Sequence, residues 1–389
     1  MSDLGVYIQV PFCQAKCTYC NFHTGVVSEG RFAPYIEAVS REIREYEQRY
    51  AAAGITGIVE LATASVDTLY IGGGTPSLLE PELLTRLLTA LRDTFSCSFE
   101  EVTLEADPET IEAEKAAAWV ASGFNRISMG TQSFVDDELK AAGRMHRRAD
   151  IYRAVTTLRE AGISNISFDL IAGLPKQTHA SWRQSLDELI TLSPEHVSIY
   201  TMEIDEGSRL GLEVLQSGSR YSARELPAEE SMAEFYELGQ SMLKNAGYEQ
   251  YEISNWSKPG LASRHNLKYW RREPYLGFGA GAHSFSGSQR WANLHDAAAY
   301  VEAISAGRSP IVSLEAITQG SALEEELFLG LRQLSGIDLA RIERQYDVNL
   351  HDKAAPLVAA GLMKREQEML RLAPGKLSIS NEVIVELLR

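Results

Sequence analysis

Short apolar runs of strand character recur through the amino-terminal half of the chain, at residues 6–12, 68–72, 101–106, 126–131, 165–171 and 196–202. Between them, at 34–50, 81–94, 111–122, 134–141 with 151–161, and 179–192, apolar residues return every three or four positions, which predicts helices. Strand and helix alternating about six times implies an α/β fold built on a parallel sheet whose connections share one hand. Six such units make an incomplete (β/α)6 barrel of the TIM type, predicted over residues 1–225.

Past the barrel the pattern changes. Residues 228–246 predict an amphipathic helix with Met232, Phe235, Leu238 and Met242 on one stripe, Pro227 before it and Gly247 after it. Residues 248–285 are aromatic and glycine-rich and read as irregular, so 226–309 is taken as an extension of the barrel. From residue 310 three helical patterns (322–333, 338–346, 354–363) precede a predicted hairpin of 369–372 with 376–380, a mainly helical, winged-helix-like carboxyl-terminal domain over 310–389. In that last segment twelve acidic residues outnumber nine basic ones, which disfavours a DNA-binding wing.

In a barrel of this kind the loops at the carboxyl ends of the strands carry the chemistry. Candidate residues fall there repeatedly: a cysteine loop after the first strand, Gly72-Gly73-Gly74-Thr75-Pro76 after the second, Glu105 and Asp107 at the third, Gln132 at the fourth, and Asp169 followed by Gly173-Leu174-Pro175 at the fifth. The glycine run lets backbone approach a ligand closely, although a plain tight turn reads the same way and no P-loop Lys follows. Glu105, Gln132, Arg144 and Asp169 read singly as a solvated rim or ion pairs, and together as the polar groups of one ligand site.

Three of the four cysteines, Cys13, Cys17 and Cys20, lie within eight residues, and Cys97 stands apart with no role assigned. An odd cluster of thiols in a long chain is poor material for a disulfide framework and points to metal. Zinc would want a fourth ligand, for which His23 is the near candidate. The C-x3-C-x2-C spacing instead supplies one thiolate too few to close a four-iron cluster, leaving one iron open to a small chelating molecule.

The 389 residues are 44% apolar and carry a net charge of −16, a balance that argues against a nucleic-acid partner bound through its phosphates. No run approaches the roughly 18 to 20 apolar residues of a membrane span. The start, Met-Ser-Asp-Leu-Gly, lacks the pattern of a secretory signal, so a cytoplasmic location is expected.

The sequence resembles the radical SAM proteins of the oxygen-independent coproporphyrinogen III dehydrogenase superfamily, and within it the haem chaperones of the HemW branch. The likeness rests on Tyr7 with PFCQAKCTYCNF, GGGTPSLL from Gly72, the series Glu105, Gln132 and Arg144, DLIAGLPKQT from Asp169, and HNLKYW from His265. It implies that Cys13, Cys17 and Cys20 hold a [4Fe-4S] cluster and that S-adenosylmethionine (SAM) chelates its open iron. It further implies that Tyr7, Gly73, Gly74 and Thr75 line the methionyl part of SAM, and that Glu105, Gln132, Arg144 and Asp169 hold the rest. His265, in an HNxxYW motif, would bind haem as cargo, with His283 of GAGAHSF a second candidate as haem ligand or SAM neighbour. Without the resemblance, His265 reads as a structural histidine in a packed aromatic segment.

The implied partners are haem, a haem-acceptor protein that a membrane could hold, and an electron donor for the cluster. Two features set the chain apart from the dehydrogenases: Phe22 stands where their pattern has a further cysteine, and the first strand begins almost at once. Oxidative decarboxylation of coproporphyrinogen III is therefore the alternative activity, and no catalytic residue is assigned.

Overall fold

The computed structural model describes residues 3–388. Six parallel neighbours form the centre of its main sheet: β1 (Asp3–Val10), β2 (Ser65–Gly73), β3 (Ser96–Ala106), β4 (Arg126–Gln132), β5 (Asn165–Ala172) and β6 (His196–Thr201). They lie in chain order, as consecutive right-handed strand–helix–strand units require. Among the described residues, no helix is long and apolar enough to cross a membrane.

Side-chain alternation along these strands creates the site. Val6, Ile8, Val10, Leu69, Ile71, Val102, Leu104, Ile127, Met129, Ile166, Phe168, Val197 and Ile199 are buried in the main apolar core. Helices cover that face with matching stripes, as in Pro81–Thr94, which starts on Pro81 and buries Leu84, Leu87, Leu88 and Leu91. The alternate positions Tyr70, Glu105, Arg126, Ser128, Gln132, Ser167, Asp169, His196, Ser198 and Tyr200 line the hollow of the incomplete barrel. A closed barrel fills its interior with aliphatic layers, whereas this open one keeps a polar concave face.

Residues 248–285, expected to be irregular, are not so in space. With the strands that follow as far as residue 316, they extend both edges of the same sheet. On the β6 side stand β7 (Glu249–Gln250) and β8 (Asn255–Ser257), and on the β1 side β9 (Tyr275–Phe278), β10 (His283–Phe285), β11 (Gln289–Asn293) and β12 (Ile311–Ala316). β9 runs parallel to β1, with Gly5 opposite Tyr275. Strands of two to six residues separated by glycine turns are too short to leave a period in the sequence. The helix Arg264–Trp270 closes the floor of the barrel, and the amphipathic helix Glu229–Asn245 packs on the outside near β6.

The carboxyl-terminal segment has its own core around Leu327, Leu331, Leu339, Ile342, Leu357, Leu370 and Ile384. Helices Gln319–Gly330, Leu339–Tyr346 and Leu350–Ala359 stand close to the predicted positions. The hairpin does not: it pairs Met363–Glu366 with Met369–Leu372, and residues 376–380 instead lead into the helix Ser380–Leu388. Gln367 makes the turn in the left-handed region, at φ 57°, without the glycine that usually marks such a turn.

Candidate functional site

A cavity of about 550 Å³ runs from the cysteine loop down the concave face to Asn266 on the floor helix. Cys13, Cys17 and Cys20 line its mouth on the loop that follows β1. Backbone bonds hold that loop: the Cys13 N–H donates to the Gly25 carbonyl (3.1 Å), the Thr18 N–H to Ala142 (3.0 Å) and the Thr75 N–H to Phe12 (2.6 Å). Burial pushes the Cys13 thiol up. His23 does not complete a zinc set with the three cysteines; its ring lies against that of His295, with centroids 4.3 Å apart. Among the described residues, no three His, Cys, Asp or Glu side chains are placed to hold a single metal ion.

Arg144 ties the loop to the strand ends. Its guanidinium donates to the Cys17 sulfur at 3.4 Å and to the Gly130 carbonyl at 2.8 Å, and pairs with Asp107. Asp107 in turn accepts from the Thr75 hydroxyl at 3.0 Å. Deeper in, Glu105 accepts from the Gly73 N–H (2.8 Å) and the Tyr70 hydroxyl (2.9 Å). Burial pushes its carboxyl up to about 7, with Asp169 and Asp107 adding to the rise and those two hydrogen bonds opposing it. Burial likewise raises Asp169, against hydrogen bonds from Ser198 and Ser128. Two hydrogen-bonding atoms of this group are buried without a protein partner, Gln132 Oε1 and Arg144 Nε. Gln132 sits at φ 63°, a left-handed conformation uncommon outside glycine and frequent at functional sites.

Cys13, Cys17, Cys20, Gly73, Gly74, Thr75, Glu105, Gln132, Arg144 and Asp169 thus share one wall system. Tyr7 is not part of that wall; its hydroxyl donates to Gln9 at 2.6 Å, and its ring stacks behind Tyr70. The glycines also serve packing. A Cβ at Gly73 would strike the Gln9 side chain, and one at Gly74 the Phe12 carbonyl inside the cysteine loop. Sequence reasoning missed Arg126, buried at the start of β4 and bonded to Asn165 at 3.0 Å, and the serines of the lower wall. The usable signal was the alternation of Arg126 and Ser128 with the apolar Ile127 and Met129, continued to Gln132 at the strand end.

His265 lies elsewhere than a haem-facing motif would suggest. Only 1% exposed, it sits in the floor helix with Nδ1 at 3.0 Å from the Thr68 hydroxyl and Nε2 at 2.8 Å from the Tyr269 hydroxyl. Burial, helped by Lys268, pushes its pKa down to about 3, so the ring is neutral. A neutral imidazole has one donor and one acceptor nitrogen, and both are engaged. Glu101 caps this helix, accepting from the Arg264 and His265 N–H groups (both 3.0 Å) and from the Ser263 hydroxyl (3.1 Å). Lys268 pairs with Asp67 at 3.0 Å, and Trp270 takes Arg332 over its ring at 4.8 Å. Of the HNLKYW motif, Asn266 reaches the cavity.

Residues 7–189 match the Radical SAM superfamily, and residues 317–380 match the HemN C-terminal domain. A Bacillus subtilis protein named heme chaperone HemW is 34% identical over 385 residues, spanning 97% of each chain. This chain belongs to the HemW family. The HemW of Escherichia coli is 35% identical over 73% of this chain and 70% of its own. The coproporphyrinogen III oxidase HemN from Escherichia coli superposes with a TM-score of 0.81 over 99% of this chain and 90% of that one, at 22% identity, which establishes a common fold. The radical SAM membership of the HemW family implies SAM and a [4Fe-4S] cluster. The residues here fit both: three thiols border one cavity, with an Arg on one sulfur and unpartnered buried polar atoms beside them.

Proposed function

We propose that this chain is a haem carrier of the cytoplasm, which binds haem and hands it to an acceptor protein while holding a [4Fe-4S] cluster on Cys13, Cys17 and Cys20. The observation that carries the reading is the likeness, over nearly the full length, to proteins named as haem chaperones. Phe22, 67% exposed where the dehydrogenase pattern has a further cysteine, favours it over porphyrinogen oxidation.

The residues divide the work as follows. Arg144 anchors the cysteine loop, donating to the Cys17 sulfur. Backbone at Gly73, Gly74 and Thr75 offers close polar contact for the methionyl end of SAM, with Tyr7 supporting that wall from behind through Tyr70. Glu105 and Asp169 provide acceptors for its ammonium or ribose hydroxyls, and Gln132 a further amide. When bound, the cluster supplies one-electron chemistry to the sulfonium of SAM, given an electron donor.

Titration of the anaerobically reconstituted protein with hemin tests the proposal. Saturable binding near one haem per chain, followed by loss of haem to an apo-haemoprotein, is the expected result. Release of carbon dioxide from coproporphyrinogen III with SAM and a reductant, without saturable haem binding, would favour the oxidase alternative instead.

A further inference from the structure

With the His265 ring locked beneath the barrel, another group must meet haem iron if haem is carried. Three imidazoles come together from separate segments: His23 just past Cys20, His283 at the start of β10, and His295 after β11. All three are exposed. The His23 and His295 rings overlap at 4.3 Å with 33° between their planes; burial depresses the basicity of His283, with His295, Arg290 and His23 near enough to add to it. Gly281, at φ 74°, leaves the room that His295 needs: a Cβ there would lie 3.3 Å from Nδ1.

The chain segment that carries His23 also leaves three large apolar side chains in water, Phe22 (67% exposed), Val26 (59%) and Val27 (40%). Large apolar side chains left in water within six residues of chain point to a binding surface. Overlapping rings do not aim their nitrogens at one point, so the cluster is not a cage for a bare ion. An apolar plate whose metal takes an imidazole from one face suits it better, with apolar side chains against the plate.

We propose that haem docks on this face, with His283, His23 or His295 as its axial ligand and Phe22, Val26 and Val27 against the porphyrin. The proposal rests on the haem-carrier reading and names its cargo site. It also places the cargo on the same loop that holds the three cysteines, so cluster loading and haem docking share one structural element.

The test compares hemin titrations of the reconstituted wild type, the triple variant His23→Ala/His283→Ala/His295→Ala, and His265→Gln. Iron content and circular dichroism confirm that each variant is folded and carries its cluster. A loss of affinity of roughly tenfold or more in the triple variant, with loss of the imidazole-type Soret band, is expected, and the single variants then identify the ligand. Wild-type affinity and spectrum in the triple variant would overturn the proposal, as would loss of imidazole ligation in folded His265→Gln alone. A wild type without saturable hemin binding would instead remove the haem-carrier reading itself.

Discussion

Replacing His265 with alanine separates a structural role from a ligand role. The substitution strips the Thr68 and Tyr269 hydroxyls of their partners inside the barrel floor. Each buried polar group left unpaired costs about 1–3 kcal/mol. The ring also stacks on Tyr70 at 5.4 Å and meets Tyr269 edge-on at 5.1 Å, contacts whose loss adds about 1 kcal/mol. The total is about 3–7 kcal/mol, enough to lower the thermal midpoint by several degrees. Because Tyr70 also bonds Glu105, SAM binding should weaken as well. Differential scanning fluorimetry and a denaturant titration, run beside a hemin titration, read all three effects. A variant that keeps the wild-type midpoint while losing haem would refute the plug role and restore His265 as the ligand.

Other outcomes follow from the same geometry. Arg144→Ala removes the bonds to Cys17, Asp107 and Gly130, so SAM affinity measured by calorimetry should fall at least roughly tenfold. Gly74→Ala drives a methyl into the Phe12 carbonyl and should reduce iron incorporation on anaerobic reconstitution, while Gly307→Ala, remote from the cavity, should not. Glu105 and Glu42 are both raised by burial to about 7, so their stabilising contribution is complete below 4.5 and lost as pH rises through 7. The ligand-free protein should therefore unfold at a lower temperature at about pH 8 than at about pH 6, and Glu42→Gln should reduce that difference. SAM affinity should change in the opposite sense, strengthening as Glu105 ionises, and Glu105→Gln should flatten its pH profile.

The parallel core and the placement of the site at the strand ends were legible because the strands alternate so regularly. In β3, β4 and β5 the polar residues Glu105, Ser128, Gln132, Ser167 and Asp169 stand on one side of apolar Leu104, Ile127, Met129, Ile166, Phe168 and Leu170, and those polar positions line the cavity. The cysteine spacing was legible for a chemical reason, the count of thiolates. What stayed hidden depended on long-range pairing. β9 joins β1 across more than 260 residues, and nothing local announces it. The hairpin slipped by one strand because Gln367, and not a glycine, makes the turn. HNLKYW names residues without saying where they face, and whether His265 meets the cavity or the floor depends on Thr68 and Tyr269. The His23, His283 and His295 cluster unites segments too far apart for a motif.

The central claim is a cluster held by three thiolates, with one iron left for SAM. Electron paramagnetic resonance of the anaerobically reconstituted, dithionite-reduced protein, recorded with and without SAM, tests it most directly. The account predicts the signal of a reduced [4Fe-4S] cluster that changes on adding SAM and disappears in Cys17→Ala. A colourless protein that binds zinc instead, or a cluster signal indifferent to SAM, would contradict it.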